Sequence, residues 1–377
     1  MRSRLPHAFR VLGALWLAAC FSCAAGAQVD APYVVRNSAG ALESWTVEST
    51  AKGPVKRVEP VAPGATIEVP AVRDVPAFRV KLREPAPMAA DDVKASARAP
   101  IFVVADTHGE YEILVGMLRS QKIVDDQLHW KFGRGQLVIL GDAFDRGAHQ
   151  VEILWLFYQL EAEARAARGA VHFVLGNHET MELLGDVRYL NPRYREIADT
   201  LGVRSYSLLF DARSVLGQWL RSRPAVLKLN GLLCLHGGIS RELVERGYTL
   251  PVINDTVRGA LAQPTFKDAA ARERAEFMFG QAGPLWYRGY FPADARGSVA
   301  SADDVTQVRR FFGVEKILVG HTKVPTITPL YDGAVIAVQV YPKREDDGRV
   351  EFEALWIRGG NFLRARPDGA IEPLPAR

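Results

Sequence analysis

The sequence predicts an α/β protein in which a large body of alternating strands and helices follows a small all-β unit. Three observations carry this assignment. From Ile101 onward, short continuous apolar runs (IFVV, QLVIL, HFVL, LLCL, KILV) alternate with longer segments whose apolar residues recur at helical spacing. Each of the five runs stops at or near a residue able to bind a metal ion. Residues 28–97 differ in texture: they are rich in Val, Pro, Ala and Thr, with short alternating stretches (YVVRN, ESWTVEST, ATIEV, FRVKL) divided by proline-bearing breaks.

The chain opens with Arg2, Arg4 and Arg10 ahead of an apolar run from Val11 to Phe21, and then Ala25-Gly26-Ala27. This order is that of a bacterial signal peptide spanning residues 1–27 and cut before Gln28. Leu17-Ala18-Ala19-Cys20 also resembles a lipoprotein cleavage box, so a lipid anchor at Cys20 is the alternative. The apolar FSCAAGA around and after that point, where a lipoprotein carries a polar tether, favours simple secretion. Either route exports the protein, to the periplasm or beyond. Cleavage lowers the formal charge from +4 to about +1, which gives no reason to expect a nucleic-acid partner. It also leaves Cys234, inside LLCLH, as the remaining cysteine, read as a core thiol. The 377 residues, 48% hydrophobic and 24% charged, suffice for one large core and a satellite unit. Beyond the leader, no segment is long and apolar enough to be a transmembrane span.

The small β-rich domain is placed at 28–97, ending in the connection PAPMAADDVKASARAP, and the large domain at 98–377. Within the latter, YEILVGMLRSQKIV and VEILWLFYQLEAEARAARG read as helices, the second stopping at Gly169. Helical insertions are expected near 182–230 and 240–312, where they would wall a pocket. The last segment (VIAVQVYP, VEFEALWIRG, NFLRARPDG) is expected to close the sheet with antiparallel strands.

Ligands at strand ends converge in open α/β sheets, so Asp106, His108, Asp142, Asn177, His236 and His321 are read as one site for two divalent ions. Asp142 is the natural shared carboxylate. Asp106 and His108 would complete one ion, and Asn177, His236 and His321 the other. Mn, Fe and Zn all suit such a carboxylate, amide and imidazole set. Two such ions bind the oxygens of a phosphate ester and hold a hydroxide between them for in-line attack. Asp145 and Arg146 follow Asp142 by three and four residues, close enough for a tight loop to aim both at the metals. Arg146 would grip phosphoryl oxygens with its planar fork. His178, backed by Asp145, would hold a proton for the leaving oxygen, and Asn177 also counts among the substrate contacts.

DTHG at 106–109, GDAFDRG at 141–147, GNHE at 176–179, HGG at 236–238 and GHT at 320–322 resemble the ordered motifs of the phosphoprotein phosphatases within the calcineurin-like metallophosphoesterases. The wording around them (FGRGQLVILGDAFDRG, VHFVLGNHE, GQWLRSRP, GPLWYRGYF) is similar to the bacterial Shewanella-like protein phosphatases. The resemblance implies a metallophosphoesterase β-sandwich flanked by helices, with manganese as the favoured metal. It also implies a metal-dependent phosphomonoesterase acting on phosphorylated protein or peptide, phosphotyrosine favoured, and makes Arg288 of LWYRGY a second phosphate-gripping arginine. A diadenosine tetraphosphatase-like or small-molecule phosphate ester hydrolase, sharing the motif order, is the alternative function; export argues against cytoplasmic dinucleotide substrates. A non-catalytic metal-binding protein is a further alternative, which the retention of His178 and Arg146 argues against. The chain departs from the pattern at Ala105, where Gly is usual, and at Gln339, where relatives often place Asp.

Several polar residues have plainer readings. His172 is expected to be a satisfied core histidine, His149 a loop histidine at the rim, and His129 surface structure. Glu179 is expected to fix the loop backbone. Trp155, Phe157 and Tyr158 should pack in the core, and the charged run at 271–276 should lie on a solvated helix face.

Overall fold

The computed structural model describes residues 27–28, 30–85, 88–263 and 265–374. The expected leader, Cys20 included, lies outside the described residues apart from Ala27, which opens the short strand Ala27–Gln28. Among the described residues, no helix is long and apolar enough to cross a membrane.

Two six-stranded mixed sheets, flanked by helices, build the large body. The first runs in the order Ala170–Phe173, Gln136–Ile139, Ile101–Val104, Ala354–Arg358, Asn361–Ala365 and Ile371–Pro373. Its first three strands are parallel and the later pairings antiparallel. The second runs Thr328–Leu330, Val335–Ala337, Lys316–Val319, Leu232–Leu235, Val226–Leu229 and Asp92–Val93. The apolar strands Ile101–Val104, Gln136–Ile139 and Leu232–Leu235 are buried at every residue, as interior strands of covered sheets must be. Residues of both sheets share one apolar core, in which Trp155 and Phe157 are fully enclosed.

The expected antiparallel closure holds for the last three strands of the first sheet. Val335–Ala337 differs in part: it joins the second sheet, antiparallel to Thr328–Leu330 but parallel to Lys316–Val319. Its three residues are all buried, and VIAV is continuous rather than alternating, which suits an interior parallel strand. Asp92–Val93 also joins the second sheet, so the chain enters the large body ahead of residue 98.

The helical patterns form Tyr111–Ser120 and Gln150–Ala166. The first insertion carries Pro192–Leu201, capped by the Asn191 side chain with proline at the first turn and left-handed Gly202 at the end, then Tyr206–Phe210 and Val215–Arg221. The second carries Arg241–Glu245, Leu250–Ala262, Ala269–Met278 and Ala302–Phe312. In the N-terminal unit, Leu42–Thr50 pairs along its whole length with Gly53–Val61 and also with Tyr33–Arg36 and Ala27–Gln28, all antiparallel. A second hairpin joins Thr66–Val69 to Phe78–Lys81. This unit packs on the Pro192–Leu201 and Gln150–Ala166 helices, and Trp155 Nε1–H donates to Pro32 O at 2.8 Å.

Candidate metal centre

All six expected ligands are buried and meet where the two sheets adjoin. Asp106, His108, Asp142 and Asn177 follow strands of the first sheet, and His236 and His321 follow strands of the second. The turns that deliver them are strained. Asp106, His108, Asp142, Asp145, Arg146 and His321 have left-handed backbone, with φ of 45°, 41°, 56°, 69°, 67° and 61°. Such residues cost about 1–3 kcal/mol each and persist where the surroundings over-determine them, as at functional sites. Glu179 supplies part of that determination. One of its oxygens accepts the N–H groups of Asp142 and Gly176 at 2.7 Å each; the other accepts Ala143 N–H at 2.7 Å and Phe144 N–H at 3.3 Å. The expected backbone-fixing role is therefore what the carboxylate does.

Asp142 lies at the centre. Its Oδ2 is 3.1 Å from His236 Nε2, 3.7 Å from His108 Nε2 and 3.8 Å from His178 Nε2. His236 Nε2 is also 2.8 Å from Asn177 Oδ1 and 3.1 Å from His321 Nδ1. The far nitrogens fix the tautomers: His236 Nδ1 is 2.7 Å from Leu140 O and His108 Nδ1 is 2.8 Å from Phe144 O. A carbonyl only accepts, so both Nδ1 atoms carry hydrogen and both Nε2 atoms aim lone pairs inward. Lone pairs facing lone pairs and a carboxylate at these distances repel unless a cation or a proton sits among them. Burial opposes charge on His236, but the Asp142 and Asp106 carboxylates raise its pKa to about 9, so a proton is the substitute when no cation is bound. The donor set therefore fits divalent cations, and two three-residue groups of metal-binding geometry share Asp142: His108–Asp142–His178 and Asp142–His236–His321.

Asp106 stands beside these groups, both oxygens accepting His321 N–H at 3.1 Å, and burial pushes its pKa up to about 7. A Cβ on Gly320 would meet Asp106 Oδ1 at 2.5 Å, so that carboxylate has no room to retreat. Gly320→Ala is expected to weaken metal binding by roughly 10- to 100-fold, as loss of a ligand's support does, with the fold retained. Metal titration of the variant with its circular dichroism spectrum checks this; undiminished affinity would mean that Asp106 is not needed there.

His178 Nδ1 pairs with Asp145 Oδ2 at 2.5 Å. Burial works against the imidazolium, yet Asp142 and Asp145 hold its pKa above the ordinary value. Arg146 is exposed and reaches over the Tyr341 ring, 5.8 Å from its centroid. Arg288 is half-buried and donates to His321 O and Thr322 Oγ1, both at 3.1 Å, which ties it to the same cluster. Three aromatic residues given no role by the sequence reading edge the site: Tyr189 with its ring 5.2 Å from His178, Trp286 at 5.5 Å from His321, and Tyr341 at 5.8 Å from His108. Nothing in their spacing distinguishes them from core aromatics.

The plainer expectations are met elsewhere. His172 Nε2 bonds Gln136 Oε1 at 2.8 Å, although the ring is half-buried rather than enclosed. His149 pairs with Glu152 at 3.3 Å and His129 with Glu163 at 2.9 Å. Cys234 is a buried free thiol whose pKa burial pushes up to about 12. Gln339 is buried with Oε1 unpartnered among the described residues, and nothing in the structure explains the substitution.

Residues 99–325 match the family model described as calcineurin-like phosphoesterase, and the chain belongs to that family. Within it, the chain is similar to Shewanella and Shewanella-like phosphatases. The chain superposes with a TM-score of 0.78 on the crystal structure of a cold-active protein-tyrosine phosphatase from a psychrophilic Shewanella species, at 32% identity, covering 92% of this chain and 99% of that one. It is 30% identical over 152 residues to Shewanella-like protein phosphatase 1 of Plasmodium berghei, covering 40% of this chain and 41% of that protein. It is 25% identical over 263 residues to Shewanella-like protein phosphatase 2 of Arabidopsis thaliana, covering 59% and 66%.

Proposed function

We propose that the protein is a dinuclear-metal phosphomonoesterase acting on phosphoproteins, with phosphotyrosine favoured and manganese the preferred metal, and that it works outside the cytoplasm. The observation that carries the activity is the acceptor cluster around Asp142 Oδ2 with the hydrogen-bonded His178–Asp145 pair beside it. The tyrosine preference is supported by the near full-length similarity to a chain named a protein-tyrosine phosphatase and by the aromatic edge of Tyr189, Trp286 and Tyr341.

Asp106, His108, Asp142, Asn177, His236 and His321 would hold two cations, which supply charge neutralisation at the phosphoryl oxygens and an activated oxygen nucleophile. The chain's own groups do the rest. Arg146 and Arg288 bind the remaining phosphoryl oxygens; Arg288 is oriented for this by its bonds to His321 O and Thr322 Oγ1. The Asp145 carboxylate on Nδ1 favours the imidazolium of His178, which would deliver its proton from Nε2 to the departing oxygen. Asp145 sets the ring's tautomer and angle from Nδ1, leaving Nε2 to face the site.

The test is turnover by residues 28–377 of matched phosphotyrosine, phosphoserine and phosphothreonine peptides with manganese. Preferential release of phosphate from the phosphotyrosine peptide is expected. Equal rates on all three would remove the tyrosine preference, and no release from any would remove the phosphoprotein reading.

A further inference from the structure

We infer that the small N-terminal β unit is a positioning element for catalysis, acting on the Asp145 loop through a one-way chain of hydrogen bonds that starts at Asp145 N–H and ends on the Asp30 carboxylate. The inference rests on the phosphatase reading above.

The chain can be followed atom by atom. Asp145 N–H donates to Gln150 Oε1 at 2.8 Å. Gln150 Nε2–H donates to Tyr206 OH at 3.2 Å, which fixes which end of the amide faces the loop. The Tyr206 and Tyr33 hydroxyls lie 3.0 Å apart, and Tyr33 OH donates to Asp30 Oδ2. A carboxylate oxygen accepts, so Tyr33 spends its hydrogen on Asp30 and must receive one from Tyr206. Tyr206 in turn must receive one from Gln150, and every donor in the series points the same way. Asp30, Tyr33, Gln150, Tyr206 and Asp145 are all buried. In such surroundings the bonds polarise one another, and breaking one leaves its neighbours without partners.

A second line of bonds holds the same loop. Asp30 Oδ1 accepts from Arg193 Nη2 at 3.1 Å, and Arg193 Nη1 donates to Ala148 O at 2.9 Å. Tyr194 OH donates to Ala148 O at 2.7 Å and accepts Gln150 N–H at 2.9 Å, while Asn191 Nδ2 donates to Arg146 O at 2.7 Å. The loop that presents Asp145 and Arg146 in left-handed backbone is thus gripped at the main chain of Asp145, Arg146, Ala148 and Gln150 by the Gln150 helix start and the first insertion, and Asp30 and Tyr33 lock that grip from the N-terminal side. Asp145 orients His178, so Asp30 and Tyr33 act through the proton-delivering pair rather than through the cations.

That placement makes a distinctive prediction. A proton at the leaving oxygen matters for a poor leaving group and hardly at all for a good one. In the full-length protein loaded with manganese, Tyr33→Phe is expected to lower kcat on phenyl phosphate about tenfold with KM unchanged within about twofold, and to leave 2,4-dinitrophenyl phosphate near the wild-type rate. Asp30→Asn should repeat the pattern and serves if the first variant folds poorly. Lys56→Met, which breaks a different contact of the same unit (Lys56 Nζ to Leu201 O, 3.0 Å), should alter neither ester. Equal losses on both esters, or no loss on either, would overturn the inference. Wild-type protein inert on both would instead overturn the phosphatase reading; hydrogen exchange at the 145–150 amides then decides the inference, with faster exchange in Tyr33→Phe expected and unchanged protection refuting it.

Discussion

Asp142→Asn is expected to lower turnover by about three orders of magnitude or more and to strip metal from the protein while leaving the fold in place. The size follows from geometry. Asp142 Oδ2 lies within 3.1–3.8 Å of three imidazole nitrogens, and its other oxygen accepts His178 N–H at 3.0 Å, so one carboxylate serves both groups of ligands. An asparagine fills the same space but withdraws the negative charge and can turn an N–H toward the inward lone pairs. Lewis-acid stabilisation of a phosphoryl transition state is worth several kcal/mol, and about 4 kcal/mol corresponds to roughly a thousandfold in rate. Kinetics with metal analysis by plasma emission checks both halves. Retention of two ions and of activity would show that the acceptor cluster is not the metal site.

His178→Asn should have the second largest effect, about 10²- to 10³-fold on phenyl phosphate and far less on an activated ester, with metal content unchanged. Metal content is the informative readout, because His178 Nε2 stands with His108 and Asp142 in one of the two metal-binding groups and also pairs with Asp145 through Nδ1. A proton donor can be removed without emptying a cation position. If the variant loses one ion, His178 is a ligand and the acid role fails.

The site was legible in the sequence because its ligands follow buried strands. A run such as IFVV or KILV must stop where the sheet stops, and a polar residue at that point has only the strand-end crevice to occupy. The backbone strain behind that placement left no trace of its own: Asp and His tolerate left-handed backbone but occur freely elsewhere. The parallel pairing of Val335–Ala337 with Lys316–Val319 was hidden because its surroundings alternate while the strand itself does not. The Asp30–Tyr33 connection was invisible for a different reason. Tyr33 and Tyr206 are 173 positions apart, and a hydrogen bond between them imposes no period on either segment. Tyr189 and Tyr341 were missed likewise, since an aromatic residue at a rim reads like one in a core.

The second sheet's ligands lean on the first: Leu140, after Gln136–Ile139, holds the His236 imidazole, and Asp106, after Ile101–Val104, holds the His321 backbone. The Asp142–His236–His321 group is therefore complete only when both sheets are in place, and a cation there is captured by the assembled molecule alone. Its binding free energy accrues to the native state and to nothing less organised, so the metal doubles as a rivet across the seam. Storage under chelation would then shorten the working lifetime of the protein by easing the parting of its sheets, well before any change in its shape at rest could be seen.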